Sequence, residues 1–228
     1  MTPQIAILDL TTSYTGMRPG EAAGELIRNW LRPAMPEAAL HRIDVAGGAA
    51  IPAPGAFDGF VLSGSEIGVY DDRDWLASLR SFLLAARQAG KPLVGICFGH
   101  QLMADCFGGR AENAGKGVIL GMRPFTVDGM RRETWVWHQD QVTHVPPGAR
   151  ITAAADYCPV GALEYPFAAY SVQFHPEFTE DYLRREIANW AGTALTAEVA
   201  AAGLASLHGA EVARDLVAAR AAEVLCRR

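Results

Sequence analysis

Several large classes of protein are excluded by what this sequence lacks. Its 228 residues include four cysteines, Cys97, Cys106, Cys158 and Cys226, with no C-x-x-C pair and no histidine-rich segment near them. No metal site is therefore expected. No apolar window approaches the ~18 residues that a membrane-spanning helix requires. Basic runs are missing too, and the net charge of −5 argues against a nucleic-acid or anionic-membrane partner. The start, Met1-Thr2-Pro3-Gln4-Ile5, has neither the basic region nor the long apolar core of a signal peptide. The thiols are accordingly expected to be reduced and the location cytoplasmic. No linker or repeat divides the chain. What is left is an ordinary globular composition, half hydrophobic and one fifth charged, with enough residues for a sizeable α/β core.

The informative stretch is K-P-L-V-G-I-C-F-G-H-Q-L-M-A-D-C-F-G-G, residues 91–109. Leu93, Val94 and Ile96 form a short apolar run after a proline, the pattern of a buried parallel strand. Leu102, Met103 and Cys106 continue at helical spacing until Gly108-Gly109. Between them, Gly95 and Gly99 bracket Cys97. A strand, a tight turn carrying a nucleophile and a helix make a nucleophile elbow, with a thiol in place of the hydroxyl. The helix dipole and free amides at that terminus favour a thiolate. A cysteine in an apolar stretch also reads as a small buried hydrophobe, so the elbow needs a base. Residues 173–177, Q-F-H-P-E, supply His175 and an acid, Glu177, two positions later. Residues two apart at a strand end project to one side.

Together, G-I-C-F-G-H-Q at 95–101 and Q-F-H-P-E at 173–177 resemble the class I (triad) glutamine amidotransferase family. The similarity extends from Ile5 to about Glu177. It includes the stand-alone γ-glutamyl peptidase branch, which shares G-I-C-F-G-H-Q. The resemblance implies an α/β fold with a mostly parallel, flavodoxin-like central sheet flanked by helices. Residues 1–192 are expected to form the catalytic domain, with 193–228 a helical extension packed on it.

The rest of the chain fits that plan. Strands are expected at 4–10, 41–45 and 58–62, with helices over 21–31 and 75–89. Leu26, Ile27, Trp30 and Leu31 form the apolar stripe of the first helix. The aspartates at 71, 72 and 74 read as a solvated start to the second. After Gly109, the segments 118–120, 122–127 and 134–137 look like antiparallel strands, with Trp135 and Trp137 on one face as core. Strands follow at 151–155, 162–165 and 167–174, the last delivering His175. Helices are expected over 180–191 and 197–225, broken near Gly203 or Gly209, and either coating a sheet face or dimerising.

The resemblance also implies roles. Cys97 would attack the γ-carbonyl of a glutamine-like substrate, His175 would move the proton, and Glu177 would orient the ring. The amides of Gly64 and Phe98 would hold the oxyanion, although S-G-S at 63–65 departs from the double-glycine-proline loop of many members. Gln101 is expected to contact substrate. His138, Gln139 and Asp140 are either part of the glutamine pocket or a capped turn. His100 is expected to make a structural hydrogen bond. No cofactor is implied. The substrate would be glutamine or a γ-glutamyl small molecule, and in the first case a separate synthetase subunit would take the ammonia. A non-catalytic relative that kept the fold is the competing class. A dienelactone-type thiol hydrolase fits less well, because here His precedes Glu. The sequence does not define an oligomeric state.

Overall fold

The computed structural model describes residues 2–12, 17–207, 209 and 212–227. Positions 13–16 of the loop expected at 11–20 lie outside the described residues, as do 208, 210 and 211 of the expected C-terminal helical stretch.

Eleven strands and six helices are described, in the order β1 (Gln4–Asp9), α1 (Ala23–Leu31), β2 (Ala39–Asp44), β3 (Gly59–Leu62), α2 (Asp74–Gln88), β4 (Leu93–Ile96) and α3 (Phe98–Cys106). There follow β5 (Arg110–Asn113), β6 (Ile119–Val127), β7 (Met130–His138), β8 (Asp140–His144), β9 (Arg150–Ala155), β10 (Cys158–Glu164) and β11 (Ala169–Val172). The helices α4 (Glu180–Trp190), α5 (Ala197–Ala205) and α6 (Arg214–Leu225) end the chain. Nine strands form one sheet in the order β2-β1-β3-β4-β11-β10-β9-β6-β7, and β5 pairs with β8 apart from it. The first five of that order run parallel, and from β11 onward each neighbour is antiparallel.

Alternation along the parallel strands explains why both faces are covered. Ile5, Ile7, Val61, Val94, Ile96 and Val172 point to one face, where Ile27 and Leu31 of α1 and Val217, Ala221 and Leu225 of α6 pack on them. Ala6, Leu8, Phe60, Leu62 and Leu93 point to the other, beneath α2 and α3. A third cluster joins Leu120, Met122 and Trp135 of the β6–β7 hairpin to Leu183 and Ile187 of α4 and Ala200 of α5. Among the described residues no helix is long and apolar enough to cross a membrane.

Several expectations need correction. The segments at 118–120 and 122–127 are one strand, because Gly121 sits in it at φ +99° and carries the chain through without a break. The strands β5 and β8 are too polar to stand out; R-A-E-N and D-Q-V-T-H show little apolar alternation. Trp135 is core, but Trp137 is half-buried and lines a cleft. The helix α2 has Arg73 at its N-cap without a side-chain cap, so its aspartates contribute through Asp74 in the first turn rather than by capping. The last strand stops at Val172. From there the chain is held sideways, by Gln173 N–H to Gly161 O at 2.9 Å and His175 N–H to Trp135 O at 2.8 Å.

Candidate functional site

The elbow is built by close packing. Cys97 joins β4 to α3 at φ 51°, ψ −104°, a region that non-glycine residues rarely adopt and that costs of order 1–3 kcal/mol. Its amide is fixed to Val172 O at 2.8 Å, and its carbonyl accepts from Gln101 N–H at 3.0 Å. The flanking glycines are there for space. A Cβ on Gly95 would lie 2.7 Å from the backbone of Gly99, and one on Gly99 would lie 2.7 Å from Leu62 O. We expect Gly99→Ala to push α3 off β3 and cost about 1–3 kcal/mol of stability, read as a lowered midpoint in denaturant unfolding.

Beside the elbow, β3 ends in the S-G-S loop. Ser63 Oγ donates to Gly64 O at 2.7 Å and accepts from Leu10 N–H at 2.8 Å, while Ser65 Oγ donates to Leu10 O at 2.7 Å. The two hydroxyls thus tie the loop to the end of β1. A Cβ on Gly64 would meet His175 Cε1 at 3.1 Å and Cys97 Cβ at 3.6 Å, so this position has to be bare for thiol and imidazole to close on it.

His175 and Glu177 lie in a turn rather than in a strand, which corrects the expected reason for their pairing. Phe178 N–H reaches back to His175 O at 3.4 Å, and Pro176 rounds the corner. The turn brings His175 Nδ1 to 2.7 Å from Glu177 Oε1, both side chains buried. Phe178 stacks on the imidazole at 4.1 Å and 5°. Burial works against the charged ring, but Glu177, the charge of Cys97 and hydrogen bonds to both outweigh it and lift His175 to about 10. Ring and thiol approach each other across Gly64, where an added Cβ would lie 3.1 Å from His175 Cε1 and 3.6 Å from Cys97 Cβ. The other two buried histidines behave oppositely. Burial pulls His100 down to about 3; its ring bonds Ser171 Oγ at 2.7 Å and Val160 O at 3.2 Å, the structural role expected of it. Burial likewise pulls His138 down to about 4.

The remaining candidates gather around the thiol. Gln101 Nε2 donates to Asp140 O at 2.9 Å and to Gln173 Oε1 at 3.1 Å. His138 Nδ1 donates to the same Asp140 carbonyl at 3.1 Å, which leaves Nε2 as a buried acceptor with no partner among the described residues. Asp140 Oδ1 is a second buried acceptor of that kind. Asp140 is not at the end of a strand but opens β8, and Gln139 is the exposed residue between the two strands. Cys97, His175, Glu177, Gly64, Gln101, His138, Gln139 and Asp140 all border one cleft of about 600 Å³.

Sequence reasoning passed over three participants. Gln173 Nε2 approaches Cys97 Sγ at 3.7 Å; its place two residues before His175, in the motif itself, was the available signal. Trp137 O lies 3.8 Å from the same sulfur. Arg214, at the start of α6, donates from Nε to Pro176 O at 2.8 Å, and its charge faces Glu177. Nothing in the local sequence around Arg214 signals that.

A nine-stranded sheet flanked by helices, with a thiol on a strained strand-to-helix elbow beside an imidazole–carboxylate pair, places the chain among α/β proteins that carry a cysteine elbow. The chain belongs to the class I glutamine amidotransferases, since the sequence profile of that family matches residues 40–190. γ-Glutamyl peptidase 5 of Arabidopsis thaliana is 30% identical over 141 residues, 56% of each chain. A GMP synthase [glutamine-hydrolyzing] of Thermus thermophilus is 40% identical over 125 residues, 51% of this chain and 24% of that one. The match thus spans about half the length of the peptidase and a quarter of the synthase. The crystal structure of a glutamine amidotransferase from Thermotoga maritima superposes over the whole of both chains with a TM-score of 0.78 at 16% identity, a likeness of fold.

Proposed function

We propose that this protein is a thiol hydrolase that cleaves γ-glutamyl amide bonds through a γ-glutamyl thioester on Cys97. The observation that carries the reading is the convergence of an elbow thiol with an imidazole whose other nitrogen is tied to a buried carboxylate. In the reaction, Cys97 Sγ adds to the γ-carbonyl carbon. The oxygen becomes negative and is held by the amides of Phe98 and Gly64; such a donor is worth about 3 kcal/mol. His175 keeps the thiol proton and passes it to the departing nitrogen as the C–N bond breaks, so that ammonia or an amine leaves. Water then opens the thioester, giving glutamate and restoring the thiol. The buried acceptors His138 Nε2 and Asp140 Oδ1 suit the substrate ammonium group, and Gln101 fixes the loop that carries them. Reduced thiols, as in the cytoplasm, suit this chemistry.

Similarity to the synthase favours a second reading, a glutaminase subunit that feeds ammonia to a separate synthetase. Product analysis after incubation with glutamine and with γ-glutamyl amides separates the two. Turnover of glutamine alone, appearing only with a co-purifying partner, would remove the stand-alone reading.

Arg214 acts in this scheme as a positioning residue for the His-Pro-Glu turn. We expect Arg214→Ala to lower kcat by roughly tenfold, in line with loss of a charge-assisted hydrogen bond, with KM for glutamine little changed. The His175 titration, followed by proton NMR, should move down as the ring loosens from Glu177. Arg214→Lys should restore part of the rate. An unmoved titration would reduce Arg214 to a packing role.

A further inference from the structure

We propose that Tyr70 is a positioning residue that holds the Asp140 carboxyl ready for the substrate ammonium group, and so selects γ-glutamyl substrates with a free α-amine. The proposal rests on the hydrolase reading above and deepens it at the end of the substrate away from the thiol.

Tyr70 is an aromatic residue that the core does not use. It is 58% exposed, yet its ring is held in one place. It belongs to a turn closed twice: Asp71 N–H donates to Gly68 O at 3.1 Å, and Gly68 N–H donates to Asp71 Oδ2 at 3.1 Å. Arg80 of α2 pins the same turn, donating from Nη2 to Val69 O at 2.7 Å while Nη1 pairs with Asp105 of α3. Within the turn the ring folds back over Gly68. A Cβ there would lie 2.6 Å from Tyr70 Cζ, so a bare position is what lets the ring in.

The ring carries its hydroxyl across to a distant part of the chain. It reaches the Asp140 carboxyl at the start of β8 and the side chain of Asn113, the β5 residue paired with Asp140 in register. Gly68 and Asp140 both border the cleft, so the phenol spans its rim from the loop after β3 to β8. Asp140 is buried, and its Oδ1 has no partner among the described residues. Its backbone carbonyl is fixed separately, by Gln101 Nε2 and His138 Nδ1. The phenol is thus the donor that holds the side chain.

Charge points the same way. Burial pushes the Asp140 carboxyl up, the Tyr70 hydroxyl pulls it down by bonding the ionised form, and the Asp71 charge pushes it up again. An ionised carboxylate held in one orientation is what an ammonium group needs. Without the hydroxyl, Asp140 keeps its proton to higher pH and is free to turn.

The test follows alkylation of Cys97 in the full chain by 6-diazo-5-oxo-L-norleucine, which carries the α-ammonium, and by its des-amino counterpart 6-diazo-5-oxohexanoate. Intact mass is the readout. Tyr70→Phe removes one oxygen and leaves the ring on Gly68. It is expected to raise the half-saturating concentration of the norleucine analogue about tenfold, the scale of a hydrogen bond to a charged group, with the limiting rate within about twofold. The des-amino analogue should label both proteins at equal second-order rates. In wild type the half-saturating concentration should rise as pH falls through the Asp140 titration, and in Tyr70→Phe that rise should begin at higher pH. In an Asp140→Asn background, Tyr70→Phe should change nothing. An unchanged half-saturating concentration, an equal loss for both analogues, an unmoved acid limb or the full loss in the Asp140→Asn background would overturn the role of Tyr70 while the hydrolase stands. If neither analogue labels Cys97 in wild type, the hydrolase reading falls and the proposal with it.

Discussion

Cys97→Ala is expected to abolish γ-glutamyl cleavage, by a factor on the order of 10⁶, the scale seen when a nucleophile is lost from a working triad. The reason is local. Among the described residues no second thiol borders the cleft: Cys158 is in β10 with burial pushing it up to about 12, Cys106 lies at the far end of α3 with burial pushing it up to about 11, and Cys226 caps the C-terminal end of α6. The fold should survive, because alanine removes a single sulfur and the backbone bonds at position 97 remain. Intact-mass measurement after treatment with an electrophilic glutamine analogue checks both points at once. Wild type should gain one adduct and Cys97→Ala none, with unchanged far-UV circular dichroism. An adduct that persists in the variant would remove the catalytic assignment and return Cys97 to a buried hydrophobe.

The second large effect concerns Glu177. Replacing it by glutamine keeps the shape but withdraws the charge that stands 2.7 Å from His175 Nδ1. With that charge gone, burial dominates the environment of the ring, and its titration should fall well below about 10. We expect kcat to drop by about 10²–10⁴, with the His175 Cε1 proton signal titrating at lower pH. The sign for stability follows from the raised imidazole. Its contribution is present in full below the ordinary histidine value near 6.5 and is lost as pH rises through about 10. Wild type should therefore lose thermal stability between those pH values more steeply than Glu177→Gln. Equal slopes and an unchanged kcat would mean that the orienting acid lies elsewhere.

The legible parts of this molecule are those where chemistry and period coincide in a few consecutive residues. Leu93 to Gly99 announces strand, turn and helix because an apolar run, a cysteine and two glycines fall within seven positions. His175 and Glu177 were legible as a pair, but for a reason the structure replaces, since a proline turn rather than strand alternation sets them face to face. Helix α1 was readable from its apolar stripe, and α2 and α4 were expected within a residue or so of where they lie. What stayed hidden depends on contacts between distant segments. The polar strands β5 and β8 owe their form to each other. Arg214 looks like one more basic residue in an alanine-rich helix until α6 folds back over the sheet. The burial of Trp137 was misjudged because period 2 tells that it shares a side with Trp135, not that one is covered and the other borders a cleft.

The sheet order also bears on when, during synthesis, the thiol can acquire its partner. The strand β11 docks directly against β4, though Gln173 and Cys97 are 76 residues apart in the chain. Everything from β5 to β10 is translated in between, and the four antiparallel strands of the main sheet extend outward from β11 itself. A nascent polypeptide thus emerges with its sulfur early and gains the imidazole only when late, long-range pairing closes the sheet, a slow class of event. Until that moment the elbow and the imidazole belong to segments that have not yet met.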